Sequence, residues 1–449
     1  MSSRLNRVLM VATLAAAASP ARAAAQATSE APGPLTIAAA AAAAAQQPAS
    51  TAAPQAAPAP SPAPPRVVAG QDGIAIESAN GDFRLQIGLL VHADGRFAID
   101  DENNQVVDMF AIRRVRPYLR GRLGRRFEFY VNPDFAGSTL VVQDAYVDTV
   151  FAPAFRIRAG KGKTPFGMER LHSASNLLFM ERALPNILVP NRDVGVQVLG
   201  DLSGGVVSYL AGVMNGVPDG GSADVDTTDS KDVAGRVIVR PFTKLPATHA
   251  ARGLAVALSG TRGTQTGTVL PTLRTTILQQ SFFSYAAGSV ADGVRTRYSP
   301  QLWYFYKSFG GWAELVRTET PIRRGTDTAD VAHEAWQLAG SWVITGENAT
   351  DAGAGVRPRA NFDFGNGNWG AFQVAARYHE LWIDRDAFTF NLAATGASRT
   401  ADSWTVGLNW YLTGNFRYTF NFERTVFDGS ADGPRRSENA AAFRTLINF

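Results

Sequence analysis

From Phe83 to the C-terminus, apolar side chains recur at every second residue, and helical spacing fits them poorly. In NFRYTFNFERT (residues 415–425), Phe416, Tyr418, Phe420 and Phe422 share one face, and Arg417, Thr419, Asn421 and Glu423 share the other. In DSWTVGLNWYLT just before it, Trp404, Val406, Leu408 and Trp410 stand opposite Thr405, Gly407, Asn409 and Tyr411. The Thr413-Gly414-Asn415 step between them predicts a short hairpin turn. Residues 126–134 repeat the pattern, with Phe127, Phe129 and Val131 facing away from Glu128, Tyr130, Asn132 and Asp134.

Alternation alone fits two architectures: a soluble sandwich that hides its apolar face, or a closed sheet that turns it outward. Three features favour the second. Aromatics crowd the strand ends, as in Trp303-Tyr304-Phe305-Tyr306, where a membrane interface favours them. The strands run to roughly ten residues, longer than the usual strand of a globular sheet. Links also alternate in length: short ones near Gly124, Pro153, Ser203, Gly310 and Gly414, longer ones at 99–106, 164–192, 216–230, 261–293, 321–330, 385–402 and 428–437. The expected fold is therefore all-β, a transmembrane antiparallel β-barrel of about sixteen strands with inward-folded loops. Two links, 242–252 and 347–367, are long on the rim where short turns belong.

FAIRRVRPYLRGRLGRR (residues 110–126) carries seven arginines in seventeen residues. As a helix they scatter around the cylinder. As a strand, Arg114, Arg116, Tyr118, Arg120 and Arg122 point one way, and Val115, Pro117, Leu119, Gly121 and Leu123 the other. A guanidinium facing lipid at mid-membrane costs on the order of 2–4 kcal/mol, so the arginine face belongs to an aqueous interior. Arg113 has the wrong parity, and Phe110 and Ile112 share the arginine face, so a bulge or a change of register is expected there. Glu128, Asp134, Asp144 and Asp148 supply counter-charge on the following strands; for each alone, neutralising an arginine is sufficient reason to be there. Arg156 and Arg158 alternate with apolar neighbours, Lys161 and Lys163 follow, and Arg236 and Arg240 add inward charge later. Residues 164–195, which include Arg170, Arg182 and Arg192, are too apolar to extend into water and are expected to fold into the barrel and narrow it. Stacked arginines facing water make a lane for anions. Nucleic acid is a poor match, because most aromatics fall on the lipid parity.

Composition sharpens this in a few places. Charged residues make up only 18%, low for a soluble domain, and of the 43 basic residues five are lysine. A GC-rich genome would also enrich arginine, so placement carries more weight than number. Cysteine is absent, which excludes disulfides, thiolate nucleophiles and cysteine metal sites. Arg4 and Arg7, the apolar stretch 8–18 and Ala21-Arg22-Ala23 read as a secretory signal peptide over 1–23. Residues 24–68, rich in Ala and Pro, read as a disordered periplasmic tether, leaving 69–449 for the barrel.

Catalytic motifs are weak. GNGNWG (365–370) matches a dinucleotide fingerprint only formally, because a period-two strand follows it. GKGKT lacks the leading glycine of a phosphate loop, the five histidines are scattered, and no nucleophile elbow is present. A barrel enzyme would need a Ser–His pair on the lipid-facing rim.

The chain resembles the phosphate-selective porins O and P of bacterial outer membranes. The resemblance rests on FAIRRVRPYLRG, GKGKTPFGMER followed by MERALP, AGSWVITGE, GNWGAFQVAARY, GLNWYLTGN and the closing FRTLINF, in the family's order. It implies a sixteen-stranded barrel in the outer membrane, a homotrimer, and passive diffusion of anions such as phosphate with no cofactor and no enzymatic activity. It also implies a constriction of arginines and a lysine, with Arg113 and Arg114 as the family's arginine pair and Asp144 or Asp148 as its acidic neighbours. One inward periplasmic turn is implied, for which 347–367 is the candidate. Phe449, preceded at alternating positions by Ile447, Thr445 and Phe443, matches the signal read by the barrel-assembly machinery. The expected anion path comprises Arg113, Arg114, Arg116, Arg120, Arg122, Asp144, Asp148, Arg158, Lys161, Lys163, Arg192, Arg236, Arg240 and Arg417. A weakly selective general porin, or a barrel whose tether holds the cell wall, remains the alternative reading.

Overall fold

The computed structural model describes residues 64–101, 106–226, 228–350, 355–430 and 433–449. The signal peptide and nearly all of the tether lie outside them. The first two strands, β1 (Arg66–Gly70) and β2 (Gly73–Glu77), form a hairpin, so the last three residues assigned to the tether are strand. The wall continues with β3 (Phe83–Ile99), β4 (Met109–Leu123), β5 (Phe127–Asp134), β6 (Val141–Ala152), β7 (Phe155–Lys163), β8 (Arg192–Leu202), β9 (Val207–Met214), β10 (Asp232–Val239) and β11 (Leu254–Val269). A two-stranded piece, β12 (Leu273–Arg274) and β13 (Ser281–Phe283), sits inside the next loop. The wall resumes with β14 (Val290–Tyr306), β15 (Phe309–Arg324), β16 (Asp327–Val343), β17 (Ala371–Trp382), β18 (Thr400–Tyr411), β19 (Phe416–Asp428) and β20 (Glu438–Asn448).

Every wall strand pairs antiparallel with its chain neighbours, and β20 pairs with β3 from Asn448↔Leu90 to Asn439↔Ile99. That pairing closes a barrel of 16 strands. Closure leaves no open edge in the wall, as a sheet in hydrocarbon requires. Below the end of β20, β2 takes over the same edge of β3, from Ile74↔Ile87 to Glu77↔Arg84.

The alternation reads directly onto the two faces. On β19, Arg417, Thr419, Asn421 and Glu423 are buried inside, while Phe420 stays 44% exposed on the outer surface. Leu119, Phe127, Val131, Trp404 and Val406 likewise face outward. The expected irregularity in the arginine stretch is a bulge at Arg113: His92 pairs with Arg114 and Ala93 with Ile112, leaving Arg113 as the extra residue. It returns Phe110 and Ile112 to the outer face, where both are exposed.

Two long links are shorter than expected. Residues 321–330 are strand except for Gly325-Thr326, a two-residue turn closed by Arg324↔Asp327 with Gly325 at φ 60. The link between β11 and β14 likewise covers only 270–289. In both cases polar residues on both faces of the outlying strand hide its period.

One prediction tests the outer face. Val406→Arg places a guanidinium in lipid near the middle of β18, so unfolding in phospholipid vesicles should show a loss of about 2–4 kcal/mol. Thr405→Arg, facing the interior, carries no such lipid penalty.

Candidate functional site

After β7 the chain turns into the lumen as residues 164–191. Its sequence demands a dry partner: Phe166, Leu177, Phe179, Met180, Leu184, Leu188 and Val189 are all within 2% of full burial. It finds most of one on β11 and β15–β18, with Met180 and Ala174 packing further round on β20 and β3. Inward positions of β11 and β15–β18 carry Ala255, Ala257, Val316, Ala335, Ala339, Ala375, Leu381 and Ala401, and these small apolar side chains pack with the inner segment.

Polar groups then fix its position. The Glu314 carboxylate accepts the Met168 amide at 2.6 Å, and Glu169 accepts the Ala183 amide at 2.9 Å and the Asn186 side chain at 2.8 Å. Asn409 donates to the Leu178 carbonyl at 2.9 Å, the Met180 amide donates to Asn421 at 2.8 Å, and Arg377 donates to the Glu181 carbonyl at 3.0 Å. All these wall anchors lie on β15 to β19. Such satisfied contacts let irregular backbone sit at membrane depth. The link expected to turn inward, 347–367, places Val356 in a buried cluster with Val343, Ala349, Ala371 and Tyr411, and Val356 shares a crevice with His172 and Leu178 of the inner segment.

With the inner segment held there, the open space runs along β3–β8. Three cavities follow one another. The first, about 470 Å³, is lined by Arg113, Arg114, Arg116, Arg170, Arg182, Arg192 and Arg274, with only Asp134 and Glu181 as carboxylates. The second, about 430 Å³, shares Arg116 and Arg192 with it and adds Arg158, Lys163 and Arg236 against a single carboxylate, Asp144. The third, about 560 Å³, shares Tyr130, Tyr146 and Arg158 with the second and adds Arg84, Arg120, Arg122 and Arg156 beside Glu128 and Asp148. The series runs from the start of β4 to its end, from the long-loop rim to the short-turn rim.

Three of these cations are held closely by acids of the wall. Arg116 Nε donates to Asp134 at 2.7 Å, Arg158 grips Asp148 at 2.7 and 2.8 Å, and Arg192 grips Asp144 at 3.1 and 3.2 Å. Bidentate pairs of this kind fix the guanidinium plane. Arg116 differs: its terminal nitrogens have no protein acceptor among the described residues. Lys163 donates to the Leu171 and His172 carbonyls at 3.0 and 2.8 Å, tying the wall to the inner segment.

Glu181 is the hub. It lies 2.6 Å from Arg96, 2.8 Å from Arg113, 3.3 Å from Arg444 and 3.9 Å from Arg114. Burial alone would raise its carboxyl, but the fields of Arg113, Arg114, Arg444 and Arg96 hold it well below the ordinary glutamate range. Asp94 pairs with Arg96 and Arg444 at 2.9 and 2.6 Å. Two carboxylates thus serve four guanidiniums.

Of the residues expected on the path, ten line this series: Arg113, Arg114, Arg116, Arg120, Arg122, Asp144, Asp148, Arg158, Lys163 and Arg192. Arg236 joins them in the second cavity. Three do not. Lys161 pairs across to Ala145 and ion-pairs with Asp224, a partner from a distant loop that holds it outside the three cavities. Arg240 points inward but lines a separate cavity with Trp303 and Phe305. Arg417 is buried against Tyr411 and donates to the Ser175 carbonyl at 3.4 Å, under the inner segment. The Phe449 carbonyl accepts the Leu89 amide and the Tyr118 hydroxyl, both at 2.9 Å, which seals the barrel seam. Sequence reasoning missed Glu181; a lone acid in the apolar run LLFMERALP was the available sign. Among the described residues, no three His, Asp or Glu side chains gather as a metal would require.

Comparison with known proteins gives the following. The family model described as phosphate-selective porin O and P matches residues 85–449. No curated protein matches the chain. The outer membrane channel DcaP of Acinetobacter baumannii shares the fold at a TM-score of 0.52 and 12% identity, covering 83% of this chain and 99% of that one. The anion-selective porin from Comamonas acidovorans gives 0.51 and 11%, covering 82% and 100%. Salmonella typhi OmpF, in complex with daunomycin, gives 0.50 and 11%, covering 83% and 100%.

Replacing the hub acid is informative. Glu181→Gln leaves four guanidiniums short of counter-charge, though Asp94 still answers two of them. The expected cost is at the lower end for a broken buried pair, about 3 kcal/mol. Amide hydrogen exchange over residues 176–188 should quicken relative to the wall strands.

Proposed function

Because the chain belongs to the phosphate-selective porin O and P family, we propose that this outer-membrane channel passes anions passively, with oxyanions of the phosphate class favoured along β4–β8. The observation that carries this reading is the excess of guanidinium over carboxylate in all three successive cavities, greatest where Arg113, Arg114 and Arg116 meet Arg170, Arg182 and Arg192. The relative from Comamonas acidovorans is described as anion-selective and shares the fold.

An entering anion loses part of its hydration shell and recovers hydrogen bonds from fixed N–H groups. Arginine suits this, because its planar fork matches a tetrahedral or carboxylate oxyanion and stays charged. Arg116 is the central donor: it borders two cavities and has free terminal nitrogens. Arg192 beside it and Arg158 further along, each gripped by an aspartate through two hydrogen bonds, offer weaker sites. Conduction requires such a series, since one tight site would trap the ion. In the same reading, residues 1–23 direct export, 24–65 tether the barrel in the periplasm, Phe449 signals assembly, and three copies associate.

Reversal potentials across planar bilayers under a potassium chloride gradient test this. The expected sign is preference for chloride over potassium. Arg116→Ala should reduce that preference and weaken current block by phosphate by about tenfold, the worth of one charge-assisted hydrogen bond. An equal response to both ions would support a general porin, and preference for potassium would end the anion reading.

A further inference from the structure

The second cavity differs in character from its neighbours. On its wall side three tyrosines stand in a row across adjacent strands: Tyr118 on β4, Tyr130 on β5 and Tyr146 on β6, with ring centroids 6.0 and 5.7 Å apart. Tyr130 and Tyr146 are directly cross-paired. At both ends of the row the next strand presents a glycine: Gly88 opposite Tyr118 and Gly160 opposite Tyr146. A Cβ on Gly88 would lie 2.1 Å from Tyr118 Cζ, so the ring occupies the place of the missing side chain. A Cβ on Gly160 would lie 3.1 Å from Tyr146 Cβ, and one on Gly162 would lie 3.5 Å from Tyr146 Cδ1. The outer two rings therefore lie along the wall, not across the lumen, and the row presents aromatic surface to the cavity.

Leu90 and Leu210 of the wall and Leu171 and Ala174 of the inner segment complete an apolar lining. Cations mark the ends. Arg116 and Arg192 stand where the first cavity joins, and Arg158 lies over the Tyr146 ring at 3.8 Å from its centroid, where the third begins. An inorganic oxyanion uses only the cations. A ligand with an anionic group and a flat apolar body uses both surfaces.

We propose that the second cavity is a binding site for oxyanions that carry an aromatic body, with the anionic group held by Arg116 and Arg192 and the ring laid on Tyr118 and Tyr130, beside the Tyr146 ring that Arg158 covers. This rests on the anion-channel reading above and narrows it to a substrate class. The gain comes from aromatic contact, added to the same guanidinium hydrogen bonds that phosphate makes. Arg158 on Tyr146 gives the departing anion its next partner.

The test compares phenyl phosphate with inorganic phosphate as blockers of chloride current through the full-length channel, at a pH where both are dianions. Phenyl phosphate should reach half-block at a concentration about fivefold to tenfold lower, the range an aromatic contact supplies. Tyr130→Ala should bring the two half-block values together, and Tyr130→Phe should keep them apart. Equal block by the two anions in the wild-type channel overturns the aromatic site, as does a ratio that Tyr130→Ala does not change. The reversal potential in the same membranes separates the two readings. A chloride-preferring channel with equal block loses only the aromatic site, whereas a potassium-preferring channel removes the anion reading beneath it.

Discussion

Alternate residues of a barrel strand meet different solvents, and a strand cannot exchange them without slipping by one residue against its neighbours. Hydrocarbon on one side makes that slip costly, since it would carry every inner guanidinium outward. The rest of the structure follows from this. It explains how Arg114 and Arg116 can alternate with Val115 and Pro117 without strain. It also explains the bulge at Arg113: one inserted residue restores the parity that Phe110 and Ile112 need, and it frees Arg113 to reach Glu181.

Alternation alone would leave a wide lumen of uniform polarity. The inner segment divides it. Small apolar side chains on the inner faces of β11 and β15–β18 make one half a dry core, closed by Phe166, Phe179, Leu184 and Leu188. The carboxylates Glu169 and Glu314 hold the segment's amides there. Water and solute are left with the opposite wall, which carries the arginines. The division is electrostatic as well as steric, because the segment's free edge brings Arg170 and Arg182 to face Arg113, Arg114 and Arg116 across the first cavity. The carboxylates between them are too few to cancel the field, and each pins a guanidinium in a defined plane.

Much of this was legible in the sequence because each wall strand solves a local problem. Phe416 to Glu423 announces both of its faces without reference to any partner, and so does the arginine strand. The inward fold of residues 164–191 was legible too, from apolar content that water would not tolerate. Which wall it packs against was not, because that depends on alanines such as Ala335 and Ala375, which alternate with nothing conspicuous. The tight turn at Gly325 was hidden where strands outrun the membrane and lose their apolar face. Lys161 stands outside the three cavities, paired with Asp224, a partner from a distant loop that the local charge pattern does not show. Glu181 escaped notice because its four partners come from three different strands, β3, β4 and β20, joined only when the barrel closes.

The central claim is that anions travel over the β4–β8 wall. Crystals of the protein soaked in bromide, with anomalous scattering used to locate the ions, test it most directly. The account predicts bromide beside Arg116, between the first and second cavities, with further sites near Arg113 and Arg158. Bromide absent from that wall, or rubidium settling there in a parallel soak, would contradict it.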